Sequence, residues 1–467
     1  MEPGPRRLSA AGVAWDAWRT TRGGPAAVAA RQEARLDALV AHARSASRFY
    51  AEHYRDVPEG PPGPAGLASL PPVRKPQLMA RFDDWVTDPE ASRDAVAGFV
   101  ADPEAVGTDF LGRYVVFTTS GSTGTPAVLV QDRDAVAVMT GLAYARSAGV
   151  LPPRLLGQVL ARGARQAAVF AGGGHFLAAT MFERRLRARP LRRRIARWFS
   201  VLEPLPRLVA ELNAFQPVLL GTYASALAVL AEEQEAGRLR IRPLVVASGG
   251  ELLSAAVRRR AEAAFGAVVV ESYSASEATP LALPCRRGVL HVNSDWFLLE
   301  PVDAAGRPVP PGRRSDSVLV TNLANRVQPV IRYELGDSVV LGADPCACGS
   351  PLPTIRVEGR TDEILRVAGD GGGEVVLLPM AVSTVVEETP GVLRHQVLQT
   401  GPAALAVRLE ETPGADRDEV WSRVRARLGL FLREQGAGGV AVERAGEPPR
   451  PDPRSGKLRH VLGPPPG

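Results

Sequence analysis

Lysine is almost absent from this sequence of 467 residues. Of its 56 basic residues, only Lys75 and Lys457 are lysine. A lysine ammonium is a compact charge with three donors, and arginine does not replace it where that geometry matters. A chain that uses arginine nearly everywhere is therefore expected to keep lysine where the ammonium has a task. The surroundings of Lys457 favour such a task, whereas for Lys75 chance retention is the alternative.

Cysteines and long apolar runs are also scarce. The three cysteines are an odd number, which argues against a disulfide framework. No apolar run approaches the ~20 residues of a membrane-spanning helix, and Met1 to Arg7 lacks the apolar segment of a signal peptide. We therefore expect a cytoplasmic protein that has no membrane partner.

Basic charge exceeds acidic charge, and the formal net charge is +6. The densest basic run, Arg184 to Arg197, predicts the solvated face of a helix. Nucleic-acid binding is disfavoured because no aromatic residues alternate with the arginines and no groove-reading motif occurs. A patch for a phosphate-bearing cosubstrate stays open.

A loop rich in glycine and hydroxyl side chains, Phe117 to Pro126, lies between two apolar runs that read as strands. Its glycines permit tight folding, and its N–H and hydroxyl groups can donate to phosphate oxygens. The Gly-Lys-Ser/Thr ending of a Walker loop is missing, so a Walker NTPase is not predicted. An ordinary surface loop is the alternative to a phosphate site.

Apolar strand candidates alternate with helical segments from residue 114 to about 277. The length predicts two or three domains, and the alternation predicts an α/β fold with largely parallel sheets and ligand loops at strand ends. A proline-free helix over 26–54 precedes this region, and Asp132 is the predicted N-cap of a helix ending near Ser147. Short strands after residue 288 predict a β-rich subdomain. We place a boundary between residues 361 and 362, followed by a small, mobile α+β domain.

The cysteines share one pattern with a histidine: Cys285, His291, Cys346 and Cys348, the last followed by glycine. Thiolate and imidazole are the preferred zinc ligands, and four such groups complete a structural site. Three unconnected buried thiols are the alternative. A catalytic thiol is not predicted, because no base or oxyanion loop lies near any of them in the sequence.

Six motifs in order resemble the adenylate-forming acyl-CoA synthetase superfamily, most closely its phenylacetate-CoA ligase-like branch. They are the 117–126 loop, Ser248-Gly249-Gly250-Glu251, Tyr273-Ser274-Ala275-Ser276-Glu277, Arg332-Tyr333-Glu334-Leu335-Gly336-Asp337, Gly359-Arg360-Thr361-Asp362 and Ser455-Gly456-Lys457. The resemblance covers nearly the whole chain. The family's loop lysine is missing, because its two usual positions hold Thr125 and Ala127.

The resemblance implies ATP-dependent activation of a carboxylic acid to acyl-AMP with release of pyrophosphate, followed by transfer to CoA. An aryl or arylacetic acid is the default substrate. Two alternatives stay open: an adenylating enzyme that passes the acyl group to a carrier-protein thiol or an amine, and a non-catalytic adenylate-binding protein. A monomer and a homodimer are both compatible with the sequence.

Site residues follow from the resemblance position by position. Lys457, Glu277 and Ser276 are the implied catalytic residues, with Glu277 holding Mg²⁺. The implied nucleotide-binding residues are Ser120, Gly121, Ser122, Thr123, Gly124, Gly249, Gly250, Glu251, Ser272, Tyr273, Asp337 and Arg360. The implied acid-binding residues are His175, Phe176, Gly221, Tyr223 and Ala278, and Asp362 is the implied hinge. In the same branch the Cys-x-Cys-Gly turn can bind zinc together with an upstream cysteine and histidine, which implies Cys285, His291, Cys346 and Cys348 as ligands.

Overall fold

The structure is a computed structural model that describes residues 7–60, 63–119, 127–147, 150–172, 174–358, 364–450 and 458–463. Its helices are α1 (Ala10–Arg22), α2 (Gly24–Ala46), α3 (Arg48–His53), α4 (Gly63–Gly66), α5 (Lys75–Ala80), α6 (Phe82–Trp85), α7 (Arg93–Val100), α8 (Arg133–Ser147), α9 (Pro153–Ala161), α10 (Leu177–Ala188), α11 (Leu205–Phe215), α12 (Ala224–Glu235), α13 (Ala255–Phe265), α14 (Pro379–Glu387) and α15 (Arg417–Glu434). Within these ranges, no helix combines the length and apolar character needed to cross a membrane.

The strands fall into a first and a second half of the chain. The first half has β1 (Val115–Thr118), β2 (Val128–Gln131), β3 (Gln166–Phe170), β4 (Ala196–Ser200), β5 (Leu219–Thr222), β6 (Val245–Ser248), β7 (Val268–Glu271), β8 (Tyr273–Ala275), β9 (Ala278–Pro284), β10 (Leu290–Val292) and β11 (Phe297–Val302). The second half has β12 (Ser317–Asn322), β13 (Val330–Glu334), β14 (Val339–Leu341), β15 (Thr354–Val357), β16 (Leu365–Ala368), β17 (Glu374–Leu377), β18 (Val392–Gly401), β19 (Ala404–Glu411), β20 (Ala441–Arg444) and β21 (Val461–Leu462).

A five-stranded parallel sheet in the order β4-β3-β5-β6-β7 forms the scaffold of the site. Its strands are short apolar runs, such as Val245–Ser248, that are joined through helices, as buried parallel strands require. The α/β prediction is confirmed. The sheets formed by β1–β2, β8–β15 and β16–β17 are antiparallel. The last sheet is mixed, because β18 pairs with β21 and β19 with β20 in parallel.

The predicted helix over 26–54 is wrong in its extent. The chain breaks at Ser47, whose backbone is extended and whose hydroxyl accepts a hydrogen bond from the N–H of Tyr50. Ser47 is therefore the N-cap of α3, and serine at such a position favours a new helix over continuation of the old one. The helix α1 was not predicted, although Ser9 caps it in the same way.

The arginine-rich run also differs from its prediction. Residues 184–197 do not form one helix, because α10 ends at Ala188, a 3₁₀ turn follows, and Ala196 begins β4. Arg184 pairs with Asp109, and Arg187 donates to the backbone carbonyls of Glu104 and Val106. These guanidinium groups attach α10 to the preceding loop, so they serve local packing.

The chain after residue 364 forms a β16–β17 ribbon and a four-stranded sheet, β20-β19-β18-β21, that packs on α14 and α15. Val376, Leu378 and Phe431 from this part line a small void together with Leu205, Leu208 and Val229 from α11 and α12. One apolar cluster therefore continues from the parallel sheet into the C-terminal unit. The proposed boundary at 361/362 lies between two described ranges and stays a prediction.

Candidate nucleotide and acid site

Neighbouring parallel strands end together and bring hydroxyl groups to one edge of the sheet. Thr222 at the end of β5 lies beside Ser248 at the end of β6, and Ser248 lies beside Glu271. The hydroxyl oxygens of Thr222 and Ser248 are buried, and no described residue forms a hydrogen bond with them. Buried hydroxyls need a partner, so this edge suits a polar ligand or ordered water.

Two glycines follow Ser248 and allow Ser272 and Tyr223 to pack closely against the backbone. A Cβ atom on Gly249 would lie 3.0 Å from Oγ of Ser272, and one on Gly250 would lie 3.0 Å from Cε1 of Tyr223. Gly250 also has a φ of +82°, a conformation that side chains with a Cβ rarely adopt. Glycine is thus needed here for close packing and for backbone conformation.

Two predicted nucleotide-binding residues meet although 64 positions separate them. The phenol of Tyr273 donates to Oδ2 of Asp337 at 2.9 Å. Burial, together with this carboxylate, raises the pKa of Tyr273, so the phenol stays protonated and can donate. The tyrosine ring and the carboxylate therefore form one surface at the ends of β7 and β13.

Glu277 is buried, and the side chains of two residues donate hydrogen bonds to it. The phenol of Tyr333 donates to its Oε1 at 2.8 Å, and the amide of Asn322 donates to its backbone carbonyl at 2.8 Å. Burial and the carboxylate raise the pKa of Tyr333. Gln131 donates to the carbonyl of Ser276 at 3.4 Å. The carboxylate predicted to hold Mg²⁺ is thus fixed in place.

Glu251 has a structural partner that the sequence did not predict. Its carboxylate accepts from the N–H and the hydroxyl of Ser225, at 2.7 and 2.9 Å, and so caps the first turn of α12. Glu251 does not lie in the first turn of the helix that follows it, because α13 begins at Ala255 with Ser254 as N-cap.

The predicted acid-binding residues fall into two groups. Gly221 and Tyr223 lie beside Phe170, whose ring meets that of Tyr223 edge to face at a centroid distance of 4.8 Å. Phe176 bridges to Thr118 at the end of β1, and Ala278 is fully buried at the start of β9. Phe170 and Tyr223 together give the parallel sheet an aromatic wall at its carboxyl edge.

His175 is buried beside Phe99 rather than open to a cavity. Its Nε2 lies 3.2 Å from the carbonyl of Asp102, and its ring centroid lies 5.1 Å from that of Phe99. Burial lowers its pKa. Its backbone carbonyl accepts from the N–H of Thr118 at 2.8 Å, which joins this loop to the end of β1. Within the described ranges its Nδ1 has no hydrogen-bond partner.

Several predicted residues lie outside the described residues. They are Ser120, Gly121, Ser122, Thr123, Gly124, Arg360, Asp362 and Lys457. The strands β1 and β2 flank the loop, as predicted, and they pair in an antiparallel arrangement with Phe117 opposite Leu129. Asp132 also caps α8, because it accepts from the N–H of Ala135 at 2.8 Å.

The segment that carries Lys457 is attached at both ends to one buried glutamine. The amide of Gln396 donates to the carbonyls of Arg450 and Arg459, both at 2.9 Å. Its oxygen accepts from the N–H of Arg450 at 2.8 Å and from the guanidinium of Arg408 at 3.2 Å. Gln396 therefore sets where the 451–457 segment leaves and rejoins the sheet.

The three cysteines and His291 meet at one place, with ligand atoms all within 4.8 Å of one another. Sγ of Cys348 lies 3.4 Å from Nε2 of His291. Nδ1 of His291 is 2.8 Å from the carbonyl of Leu352, so it is the donor and Nε2 is left as the acceptor facing the sulfur. That tautomer is the one a metal ligand needs.

Each cysteine sulfur also accepts a backbone N–H from two residues further along the chain. The N–H of Arg287 lies 3.4 Å from Sγ of Cys285, and that of Ser350 lies 3.4 Å from Sγ of Cys348. The N–H of Cys348 also contacts Sγ of Cys346 and lowers the pKa of that thiol, whereas burial raises the pKa of Cys348. Three such contacts stabilise thiolates, so the donor set fits a zinc ion.

The sequence could not reveal every partner in the site. Tyr333 was part of a quoted motif but received no role, and Phe170 read only as the end of a strand. Asn322 and Gln396 are ordinary polar residues in strands, and only the fold brings them to Glu277 and to the Lys457 segment. Burial of an amide inside an apolar strand is the one signal that could have identified Gln396.

Comparisons with known proteins agree with this geometry. No family model matches the chain. A phenylacetate-coenzyme A ligase of Thermus thermophilus is 26% identical over 382 residues, which cover 78% of this chain and 76% of the relative. The structure of 2-hydroxyisobutyryl-CoA ligase with 2-HIB-AMP and CoA in the thioesterification state superposes with a TM-score of 0.58 at 20% identity, covering 99% of this chain and 94% of that one.

These similarities confirm the predicted resemblance to the adenylate-forming superfamily. Its similarity to the Thermus protein confirms the phenylacetate-CoA ligase-like branch. An open conformation of the 2-hydroxyisobutyryl-CoA ligase also matches, with a TM-score of 0.51, 21% identity and coverage of 94% and 91% of the two chains. The fold class predicted from the sequence is that of this adenylate-forming ligase.

Proposed function

We propose that this chain is an AMP-forming acid–CoA ligase. The observation that carries the proposal is the pair of hydrogen bonds, Tyr273 to Asp337 and Tyr333 to Glu277, at one edge of the parallel sheet. They join residues from two predicted motifs, 273–277 and 332–337, that lie far apart in the sequence. The similarity to a phenylacetate-CoA ligase supports the same reaction class.

In the first half-reaction, a carboxylate oxygen of the acid attacks the α-phosphorus of ATP. The bond from the α-phosphorus to the bridging oxygen breaks, and pyrophosphate leaves. Tyr273 supplies a ring for the adenine, and Asp337 accepts from the ribose hydroxyls. Glu277 is the residue to hold Mg²⁺, which neutralises phosphate charge when bound.

Lys457 is the proposed source of the charge that stabilises the transition state. It is one of two lysines in the chain, and Gln396 fixes both ends of its segment. A preorganised donor of this kind lowers the activation barrier by roughly 3–4 kcal/mol. Arg360 is proposed to contact a phosphate of the nucleotide. Asp362 is proposed as the hinge between the two units.

In the second half-reaction, the sulfur of CoA attacks the acyl carbon. The bond to the AMP oxygen breaks, AMP leaves, and the thiol proton passes to solvent. CoA is the acceptor named for the 2-hydroxyisobutyryl-CoA ligase complexes and for the Thermus relative, which favours it over a carrier-protein thiol or an amine.

An aryl or arylacetic acid is the proposed substrate, because the rings of Phe170 and Tyr223 form an aromatic wall at the carboxyl edge of the sheet. Gly250 packs against that wall, so Gly250→Ala should raise KM for the acid severalfold. Gly237 also has a positive φ, +72°, but a Cβ there would meet nothing within 4 Å. The variant Gly237→Ala thus carries similar backbone strain without touching the wall, and its KM should stay at the wild-type value.

Acid-dependent exchange of pyrophosphate into ATP, measured across a panel of carboxylic acids, tests the whole proposal. We expect one or more aromatic acids to stimulate exchange, and Lys457→Ala and Glu277→Gln to abolish it. Lys457→Ala should still transfer a preformed acyl-AMP to CoA. If no acid in the panel stimulates exchange, a non-catalytic adenylate-binding protein would be supported instead. If AMP is released with an amine but not with CoA, the acceptor is an amine.

We also propose that Cys285, His291, Cys346 and Cys348 hold a structural zinc ion. The zinc would connect the hairpin that follows β9 to the turn before β15. Metal analysis of the purified chain should give about one equivalent at this site, lost in the double variant Cys346→Ser/Cys348→Ser. Stable, metal-free wild-type protein would contradict the proposal.

A further inference from the structure

A second group of metal-ligating side chains lies in the C-terminal unit, far along the chain from the cysteines. It consists of Glu387 at the end of α14, His395 on β18 and His460 just before β21. One ligand atom from each lies within 4.8 Å of those of the other two. His395 and His460 are 1% and 4% exposed, and the Glu387 side chain is 10% exposed.

The fold explains why these residues meet. Ser383 and Glu387 are four positions apart and so share one face of α14, which packs on β18. Parallel pairing of β18 with β21 places Val397 opposite Val461. His395, two residues before Val397, therefore lies close to His460, which directly precedes Val461. The ring centroids of His395 and His460 are 4.7 Å apart.

The contacts within the group are those of a compact polar centre. The Ser383 hydroxyl lies 3.1 Å from Oε1 of Glu387 and 3.1 Å from Nε2 of His395. Nδ1 of His460 lies 3.9 Å from the same Oε1 of Glu387. The side chains of Ser383, Glu387, His395 and His460 therefore meet at one buried place.

We propose that Glu387, His395 and His460 bind a divalent cation of the zinc class. Two imidazole nitrogens and one carboxylate oxygen are a ligand set that zinc accepts, with a fourth position left for water or the Ser383 hydroxyl. The site differs in chemistry from the cysteine site because it contains no sulfur. It extends beyond the proposed ligase reaction and does not depend on it.

Its position gives the ion a structural consequence. His460 lies three residues after Lys457, and the N–H of Val397 donates to its carbonyl at 2.8 Å. A bound ion would connect α14, β18 and the return of the Lys457 segment at one point. Binding would therefore stabilise the C-terminal unit in the region that Gln396 also fixes.

Cobalt titration of the full-length, metal-stripped chain tests the proposal. Cobalt bound by thiolates gives an intense sulfur-to-metal absorption in the near ultraviolet, whereas a site of nitrogen and oxygen ligands does not. We expect about two equivalents of bound Co²⁺ in the wild type, only about one of which produces the thiolate absorption. The Cys346→Ser/Cys348→Ser variant should keep one equivalent and lose that absorption.

The complementary variants are Glu387→Gln, His395→Gln and His460→Gln in the wild-type background. Each should lose one equivalent of Co²⁺ and keep the thiolate absorption, which also shows that the protein is folded. His53→Gln, a half-buried histidine near Pro71, is the matched control and should keep both equivalents. Wild-type protein that binds no cobalt beyond the thiolate-associated ion would overturn the proposal, as would His460→Gln with unchanged metal content.

Discussion

At the scale of single residues, the orientation of Glu277 depends on the phenol of Tyr333. Both groups are buried, and the hydrogen bond between them is 2.8 Å long. A hydrogen bond to a charged group contributes about 1.5–3 kcal/mol. The carboxylate proposed to hold Mg²⁺ is therefore preorganised by a residue that need not touch substrate.

We predict that Tyr333→Phe lowers the rate of acid-dependent pyrophosphate exchange by roughly tenfold or more, because Glu277 loses its donor. The apparent Mg²⁺ requirement should rise in the same variant. Tyr114→Phe is the control, since Tyr114 donates to Asp88 in a half-buried contact away from the site. Equal exchange rates in the two variants would show that Tyr333 does not orient Glu277.

A second residue-scale prediction concerns pH. Burial lowers the pKa of His175 below its ordinary value, so the unfolded chain takes up the proton more readily than the folded one. The contribution of His175 to the free energy of unfolding is therefore complete above the unfolded pKa, near 6.5. It is lost as the pH falls from that value towards the lower pKa of the folded state. Urea unfolding midpoints should fall with acidification, and the fall should be smaller in His175→Gln. Parallel pH profiles would contradict this account.

At the scale of elements, the sequence predicted most strands and helices because their apolar patterns are strong and local. The strands β5, β6 and β7 have that character, and all three lie in the region from residue 114 to about 277 where strands alternating with helices are predicted. The strand β4 was missed because Arg197 and Trp198 interrupt its apolar pattern within an arginine-rich run. Contacts such as Tyr273 with Asp337 could be expected only through the family resemblance, since 64 residues separate the partners.

The strand β18 carries two buried glutamines with different tasks, which allows an element-scale prediction. Gln396→Leu removes the hydrogen bonds to Arg450 and Arg459 and should lower adenylation by roughly 10- to 100-fold through misplacement of Lys457. Transfer of preformed acyl-AMP to CoA should change much less, and single-turnover assays separate the two steps.

Gln399→Leu is the control for this variant. Gln399 is also buried on β18, but its amide and carbonyl bond to the backbone of Arg366 on β16. Both variants should lose similar stability, roughly 1–3 kcal/mol, because each leaves buried backbone groups without partners. A loss of adenylation of the same size in both would mean that the effect comes from destabilisation.

At the scale of the whole molecule, the C-terminal unit rests on α11 and α12 through an apolar contact and a few polar ones. Arg366 lies 2.5 Å from Glu232, and the amide of Gln435 donates to the carbonyl of Leu202 at 2.5 Å. Both charged side chains of the ion pair are partly exposed, so the pair contributes little to the free energy of unfolding.

We predict that Arg366→Gln changes stability by less than about 1 kcal/mol but alters the ratio of adenylation to thioester formation. The reason is that the pair connects α12 to β16 of the C-terminal unit, so a movement of that unit would break it. Arg356→Gln is the control, because Arg356 pairs with Glu358 two residues away. An unchanged ratio in Arg366→Gln, measured by quenched-flow analysis of both half-reactions, would show that the pair has no part in the transition.

Glu232 and Arg366 each have a second partner on their own side. Glu232 also binds Arg260 at 2.9 Å, and Arg366 also binds Glu374 at 2.9 Å. If the two units part, neither charge is stranded, because each falls back on a neighbour that travels with it. The ion pair between Glu232 and Arg366 can therefore break without leaving either charge unpaired.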